Sequence, residues 1–296
     1  MAEQTTKRCH WVPKAYLKAF ASDEKRKKIW RLSNTAGDPE LKPIEKVAVS
    51  FNLYVPLDPE TKKRDDSFER KLGELEQWFS EPIWKLFQTE MIDLGDESIR
   101  KLVALLVATM MLRNPRYFEM CKSIHEGIRG MILAAGEIPT SVESKGVIRS
   151  VNPASWPSYR DATEEDLKRN WIDSINNATR YATMLMEMRW SVVFSDEPVF
   201  ITTDAPVTFL HPSHKFRGIK DAETMVAFPI SPTRLLYMDR LFHEPGNQYY
   251  RLNGDGSKHN LHLWRNALEY MFTHRQPDDV RASMNAEAER QEYAAT

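Results

Sequence analysis

Residues 190–209 read WSVVFSDEPVFITTDAPVTF, and the fold class turns on them. Two runs rich in β-branched and aromatic residues, Ser191–Phe194 and Val199–Thr203, flank the acidic turn Ser195-Asp196-Glu197-Pro198. Such runs between turn residues predict strands. The second run halts at Thr203-Asp204-Ala205-Pro206, leaving a carboxylate and hydroxyls at the end of a strand expected to be buried. Met225–Ile230 and Leu235–Asp239 give further strand signals, punctuated by Pro229, Ser231 and Pro232, with His211–Ala222 a polar loop between. A sheet is therefore expected late in the chain.

The residues before this stretch have a different period. Phe68, Leu72, Leu75, Phe79, Ile83 and Leu86 recur at helical spacing, with Pro82 expected to kink or divide the helix. A helix starting near Asp96 is apolar almost all round from Leu102 to Leu112, which predicts burial on most sides. It ends at Arg113-Asn114-Pro115, and an amphipathic helix runs from Arg116 to Ala135, with Gly136 as its stop. Residues 137–162 read as irregular loop, a lid or joint. Thr163-Glu164-Glu165-Asp166 carries a capping signal for the helix that follows. Near the end, Leu261, Trp264, Leu268 and Phe272 predict a last packing helix.

At the front, Pro13 suits the first turn of a short helix that places Tyr16, Leu17 and Phe20 on one face, with His10 extended before it. Strand signals follow at Ile29–Leu32 and Val47–Val55. The expected architecture is α+β, a helical middle packed on a mostly antiparallel sheet built from late-chain strands. Residues 1–8 are expected as a flexible arm, 9–276 as a single domain, and 277–296 as a polar tail or marginal helix over Ala282–Tyr293.

Composition narrows the function classes. A hydrophobic content of 42% supports a real core, and a net charge of -1 gives no whole-protein attraction to nucleic acid or anionic lipid. Two cysteines, Cys9 and Cys121, behind a start without an apolar leader point to a reducing cytoplasm. The longest apolar run, Leu102–Leu112, is short of the ~20 residues of a membrane span. With 11 glycines there is no phosphate loop, and there is no nucleophile elbow, C-x-x-C or H-E-x-x-H. The basic run Lys25–Lys28 reads more simply as a solvated turn than as a phosphate site. The pairs His211/His214 and His259/His262 read more simply as surface histidines than as metal ligands, because zinc needs a third and fourth ligand.

Glu69 and Glu76 lie seven apart, on one line of a helix, where paired carboxylates can hold a divalent cation or divide acid and base roles. Their bland reading is solvation, or an ion pair with Arg70 or Arg113. Asp204 stands at a strand end, where active-site groups are often presented; its bland reading is an Asx turn.

With His10-x-x-Pro13-x-x-Tyr16-Leu17-x-x-Phe20 at the front and Phe200-Ile201-Thr202-Thr203-Asp204-x-Pro206-Val207 late, the chain resembles the family called domain of unknown function 4238. Glu69, Glu76, Arg113 before Pro115, Pro229-Ile230-Ser231-Pro232 and Asn260 are similar to its pattern as well. Where the family commonly carries T-S-D-N-P-V, this chain has Thr203 for Ser and Ala205 for Asn, and Trp11 replaces another aromatic or His. The resemblance implies a soluble, mostly microbial protein and brings no mechanism.

The residues themselves lead to a metal-assisted phosphodiesterase or nuclease-like hydrolase, set in bacterial defence. In that reading Glu69, Glu76 and Asp204 hold Mg²⁺ or Mn²⁺, His10 is acid or base, Arg113 neutralises phosphate and Thr203 adds a hydroxyl. The partner is then nucleic acid or a phosphorylated small molecule, and no membrane. The alternative is a non-enzymatic binding or regulatory protein whose polar cluster is structural.

Overall fold

The computed structural model describes residues 8–35, 37–58, 60–61, 63–144, 147–150, 152–213 and 217–295. Strand β1 (Arg8–His10) leads into helix α1 (Lys14–Leu17), whose start follows Pro13 directly. Strands β2 (Lys28–Ser33) and β3 (Glu40–Pro43) pair antiparallel, and β4 (Val49–Phe51) returns to pair with β1. Helix α2 (Ser67–Glu76) runs into a 3₁₀ turn, and Pro82 opens helix α3 (Pro82–Thr89) as its first residue. Proline divides the expected helix here because its missing N–H costs nothing at a helix start.

Helix α4 (Glu97–Leu112) is capped by the Asp96 carboxylate, which accepts from the Ser98 and Ile99 N–H groups. Helix α5 (Pro115–Ala135) has Asn114 as its cap and stops at Gly136, with φ 75°. Residues 137–162 differ from the expected loop: β5 (Ser141–Ser144) and β6 (Val147–Ser150) form a hairpin, and α6 (Trp156–Arg160) follows. Helix α7 (Glu164–Asn176) carries the capping box between Thr163 and Asp166. Asn177 then separates it from α8 (Ala178–Met186).

The late strands are β7 (Arg189–Phe194), β8 (Thr202–Thr203), β9 (Thr208–Leu210), β10 (Met225–Ser231), β11 (Arg234–Asp239) and β12 (Gln248–Arg251). Helix α9 (Ser257–Arg265), β13 (Tyr270–Thr273) and α10 (Pro277–Ala295) close the chain. The expected packing helix therefore ends at Arg265, and Phe272 sits in a strand. Short apolar spacings fit either element, and here the sheet takes it. The last 19-residue helix is docked, with Val280 and Met284 buried, where a polar tail or marginal helix was expected.

Five strands order as β12-β7-β11-β10-β9, antiparallel except for β12 on β7, and four more as β3-β2-β13-β8, all antiparallel. The opening stretch thus straddles two sheets: β7 belongs to the first and β8 to the second. Between them Ser195 bonds the Thr233 carbonyl, and Val199 and Phe200 both bond that of Pro232, so the acidic segment wraps the β10–β11 turn.

Side chains alternate across the five-stranded sheet. Trp190, Val192, Val226, Phe228, Leu236 and Met238 join the large core with α4, α7 and α8. Helix α4 is buried on most sides there, through residues such as Val103, Leu106, Val107 and Met110. At roughly 1.5–3 kcal/mol for each fully buried large apolar side chain, this contact is the main source of stability. Leu235 and Ala227 face the other way, into a second core closed by Leu261 and Leu263 of α9 and Val280 and Met284 of α10. No described helix is long and apolar enough to cross a membrane.

Candidate ligand-binding site

The polar residues picked out by sequence fall into two buried structural groups. In the first, Arg113 is 1% exposed and its Nη1 lies 2.7 Å from Glu76 Oε1. Its Nη2 donates to the His10 carbonyl, and its guanidinium stands 5.4 Å from the centre of the Tyr54 ring. The Tyr54 hydroxyl donates to the Arg113 carbonyl, which closes the box. A buried arginine held on both terminal nitrogens fixes the joint between α4, α2 and β1, with its Nε buried and without a hydrogen-bond partner.

His10 is committed as well. Its ring Nε2 is 3.2 Å from the Glu45 carbonyl. Burial, then the nearby Lys14 charge, holds its pKa down at about 4, so the ring is neutral and Nε2–H donates. Glu69 sits beside this box with Oε2 buried and unpartnered. Burial raises its pKa to about 7, against the pull of Arg113 and with the push of Glu76.

The second group surrounds Asp204, which is 1% exposed. Its Oδ1 accepts the Leu268 N–H at 2.8 Å, and its Oδ2 accepts those of Glu269 and Tyr270, both at 2.9 Å. Its backbone carbonyl takes Trp11 Nε1 at 2.8 Å and Asn114 Nδ2 at 3.1 Å. Burial keeps the carboxyl above its ordinary pKa, against these amide donors. The Thr203 hydroxyl accepts the Ala205 N–H at 3.1 Å. Both side chains thus help to hold the corner on β13.

The expected metal trio is therefore not formed. Among the described residues, the group of three or more His, Cys, Asp or Glu with ligand atoms all within 4.8 Å of one another is His211, Asp221 and Glu223, not Glu69, Glu76 and Asp204. Even that group is poorly set for a cation. His211 Nδ1 accepts the Ser213 N–H at 3.0 Å, so in the neutral ring Nε2 carries the proton and donates to Asp221 Oδ1 at 3.2 Å. His214 lies outside the described residues. The Lys25–Lys28 run is an exposed turn held by the Asp23 carboxylate.

A cleft of about 1440 Å³ opens where the five-stranded sheet, the α4–α5 corner and α9 meet. Ala205, next to the buried Asp204, lines it. Its floor and one wall are apolar, from Met110, Met111, Tyr117, Met120, Tyr181 and Phe209. Its sheet side carries Ser191 and Tyr237, with Arg189 and Asp239 locked to each other at 2.8 and 2.7 Å. The α9 wall presents Lys258, His259, His262 and Arg265, spaced as one helix face.

Helix α9 is held rigidly for this role. Asn260 accepts the Ile201 N–H at 3.0 Å and donates to the Val199 carbonyl at 2.8 Å. Arg116 bonds the Asn266 and Ala267 carbonyls at 2.9 and 2.6 Å, just past the helix end. His259 is oriented by Tyr237, whose hydroxyl lies 2.6 Å from Nδ1. Burial, then His262 and Lys258, lowers the His259 pKa to about 4. A neutral imidazole nitrogen accepts better than a phenol oxygen, so Tyr237 donates and the proton of His259 sits on Nε2. Nε2–H has no protein partner among the described residues. The groups that α9 turns to the cleft are therefore donors.

Sequence reading missed this wall. The signal was present as Lys258, His259, His262 and Arg265 at i, i+1, i+4 and i+7, but only the His259/His262 pair was weighed, and it was read as surface histidines.

A family model described as "Protein of unknown function (DUF4238)" matches residues 8–285, and the chain belongs to that family. Searches of the curated proteins and of the solved structures found no match.

Proposed function

We propose, for a chain whose family description names no activity, that it is a binding protein for a phosphorylated small molecule, held in the cleft between α9 and the α4–α5 corner. The observation that carries this reading is the α9 wall: Lys258, the fixed Nε2–H of His259 and Arg265 face one cavity of about 1440 Å³. Three donors lining one side suit a group with several terminal oxygens, Arg265 keeping its second terminal nitrogen beside the bond its Nη1 makes to Gln291 Oε1 at 3.4 Å, and charged donors make the stronger hydrogen bonds. Around the cleft, five Lys or Arg side chains stand against three Asp or Glu, and one acid, Asp239, is already paired to Arg189. The apolar floor gives the rest of the ligand a dry seat, the usual division of labour in small-molecule sites.

The hydrolase reading asked Glu69, Glu76 and Asp204 to share a cation, with His10 and Arg113 at the substrate. Arg113, Glu76, His10 and Asp204 have structural partners instead, and Glu69 keeps one buried oxygen unpartnered and forms no cation group with Glu76 and Asp204, which favours the binding alternative. Calorimetric titration with phenyl phosphate tests the proposal. Arg265→Ala and Lys258→Ala should each weaken binding about 10-fold, the order expected for one charge-assisted hydrogen bond. Absence of binding at millimolar phenyl phosphate, or wild-type affinity in both variants, sinks it.

A further inference from the structure

The apolar wall of the cleft continues past its mouth. Tyr117 and Met120 of α5 line the cleft, and at 3.6 residues per turn Ile124, Ile128 and Met131 extend the same line along the helix. All of these beyond Tyr117 are exposed: Met120 40%, Ile124 53%, Ile128 38% and Met131 67%. The helix buries a neighbouring face, through Phe118 and His125, so the stripe is left over after the core is built. Nothing stands within 4 Å of a Cβ added at Gly127 beside the stripe, so this apolar track, or trough, lies open to solvent. The charges of α5 stay off it: Lys122 pairs with Glu119 and Glu164, and Arg129 with Glu126. A contiguous apolar surface of roughly a few hundred Å² is the size that marks a function. From Tyr117 to Met131 the trough is about 21 Å long.

We propose that the ligand is an amphiphilic organic phosphate whose head binds the α9 donors and whose unbranched hydrocarbon chain runs over Met110, Met111 and Met120 and out along α5. This rests on the reading of the cleft as a phosphate site. A compact phosphate leaves the trough bare, whereas a chain covers an exposed apolar path that continues from the cleft and carries no charged side chain of α5. Flexible methionines suit such a guest, because they repack around a chain of variable conformation. A second copy of this protein is the competing occupant of the trough.

The full chain is titrated with butyl phosphate and dodecyl phosphate below their critical micelle concentrations, alongside Ile124→Asp, Met131→Asp and Lys258→Glu, with sedimentation velocity on each. A buried methylene is worth about fourfold in affinity, so dodecyl phosphate should bind at least 100-fold tighter than butyl phosphate. Ile124→Asp should erase most of that ratio and leave butyl phosphate unchanged, which also reports that this exposed site still folds, whereas Met131→Asp, about 21 Å along the helix from Tyr117 and out of reach of twelve carbons, should change neither ligand. Lys258→Glu should weaken both ligands. Equal affinity for the two ligands overturns the chain while the phosphate site stands, and binding of neither removes both. A ratio untouched by the α5 substitutions, with a dimer that they convert to monomer, assigns the trough to self-association and overturns the proposal.

Discussion

Glu69→Gln should make the protein more stable, and the gain should depend on pH. Glu69 lies beside the Arg113 box with one oxygen buried and unpartnered, and its pKa stands at about 7 through burial. An acid held above its unfolded value near 4.5 binds its proton more tightly in the folded state. Between pH 4.5 and 7 the native protein therefore carries more protons than the unfolded one, and stability falls as pH rises. The full shift corresponds to about 3 kcal/mol above pH 7, at 1.36 kcal/mol per pKa unit. Partial exposure of the side chain screens this, so a gain of about 1–2 kcal/mol is expected for Glu69→Gln at pH 8. That is about 2–4 °C in Tm for a chain of this size. The difference should vanish below pH 4.5, where Glu69 is neutral in both states. Neutral buried His10 and His259 tilt the wild-type curve the other way, so the measured quantity is the difference between two urea titrations run from pH 4.5 to 8. A variant less stable at pH 8 than at pH 4.5, relative to wild type, would show that Glu69 works as an ionised partner, and the structural account of the box would fail.

Three more outcomes separate building from binding. Asp204→Ala strands three partly buried backbone N–H groups and should cost about 3 kcal/mol in denaturant unfolding; a loss under 1 kcal/mol contradicts the corner clamp. Tyr237→Phe frees the tautomer of His259 and should weaken phenyl phosphate binding about 3–10-fold with little loss of stability, the scale of one neutral hydrogen bond; unchanged affinity, with the ¹⁵N signature of an Nε2–H ring kept, refutes the role given to Tyr237. Val280→Asp buries a charge in the second core and should destabilise by more than about 3 kcal/mol, whereas a polar tail at residues 277–296 would tolerate it.

The helices were legible because their punctuation is local. Asp96, Pro115, Gly136 and the Thr163 box mark ends that the structure keeps. Strand β13 was not legible, because Leu268 and Phe272 match the helical spacing of Leu261 and Trp264 until the sheet claims Tyr270–Thr273. Helix α10 looked solvated because only Pro277, Val280 and Met284 of its described residues are buried, and the helix packs on α9 and β2. For the site, sequence singled out Asp204 as a catalytic and cation-binding candidate, whereas the structure gives its carboxylate a place in the fold. Its partners are backbone N–H groups of residues 268–270, which no side-chain pattern announces.

The two buried groups and the cleft are consequently one construction. Asp204 ties its corner to β13, and through its carbonyl to Trp11 and Asn114, so Ala205 is delivered to the cleft wall in a fixed place. Asn114 is also the cap of α5, whose Arg116 grips the carbonyls beyond α9. Arg113, one residue earlier, anchors the same turn to Glu76 and His10. The turn Arg113–Arg116 thus connects the polar box, the acidic corner and the donor wall within four residues. A substitution in the box should reach the ligand only by shifting this turn. It follows that box variants which fold should change phenyl phosphate affinity in step with their loss of stability, while α9 variants should change affinity alone.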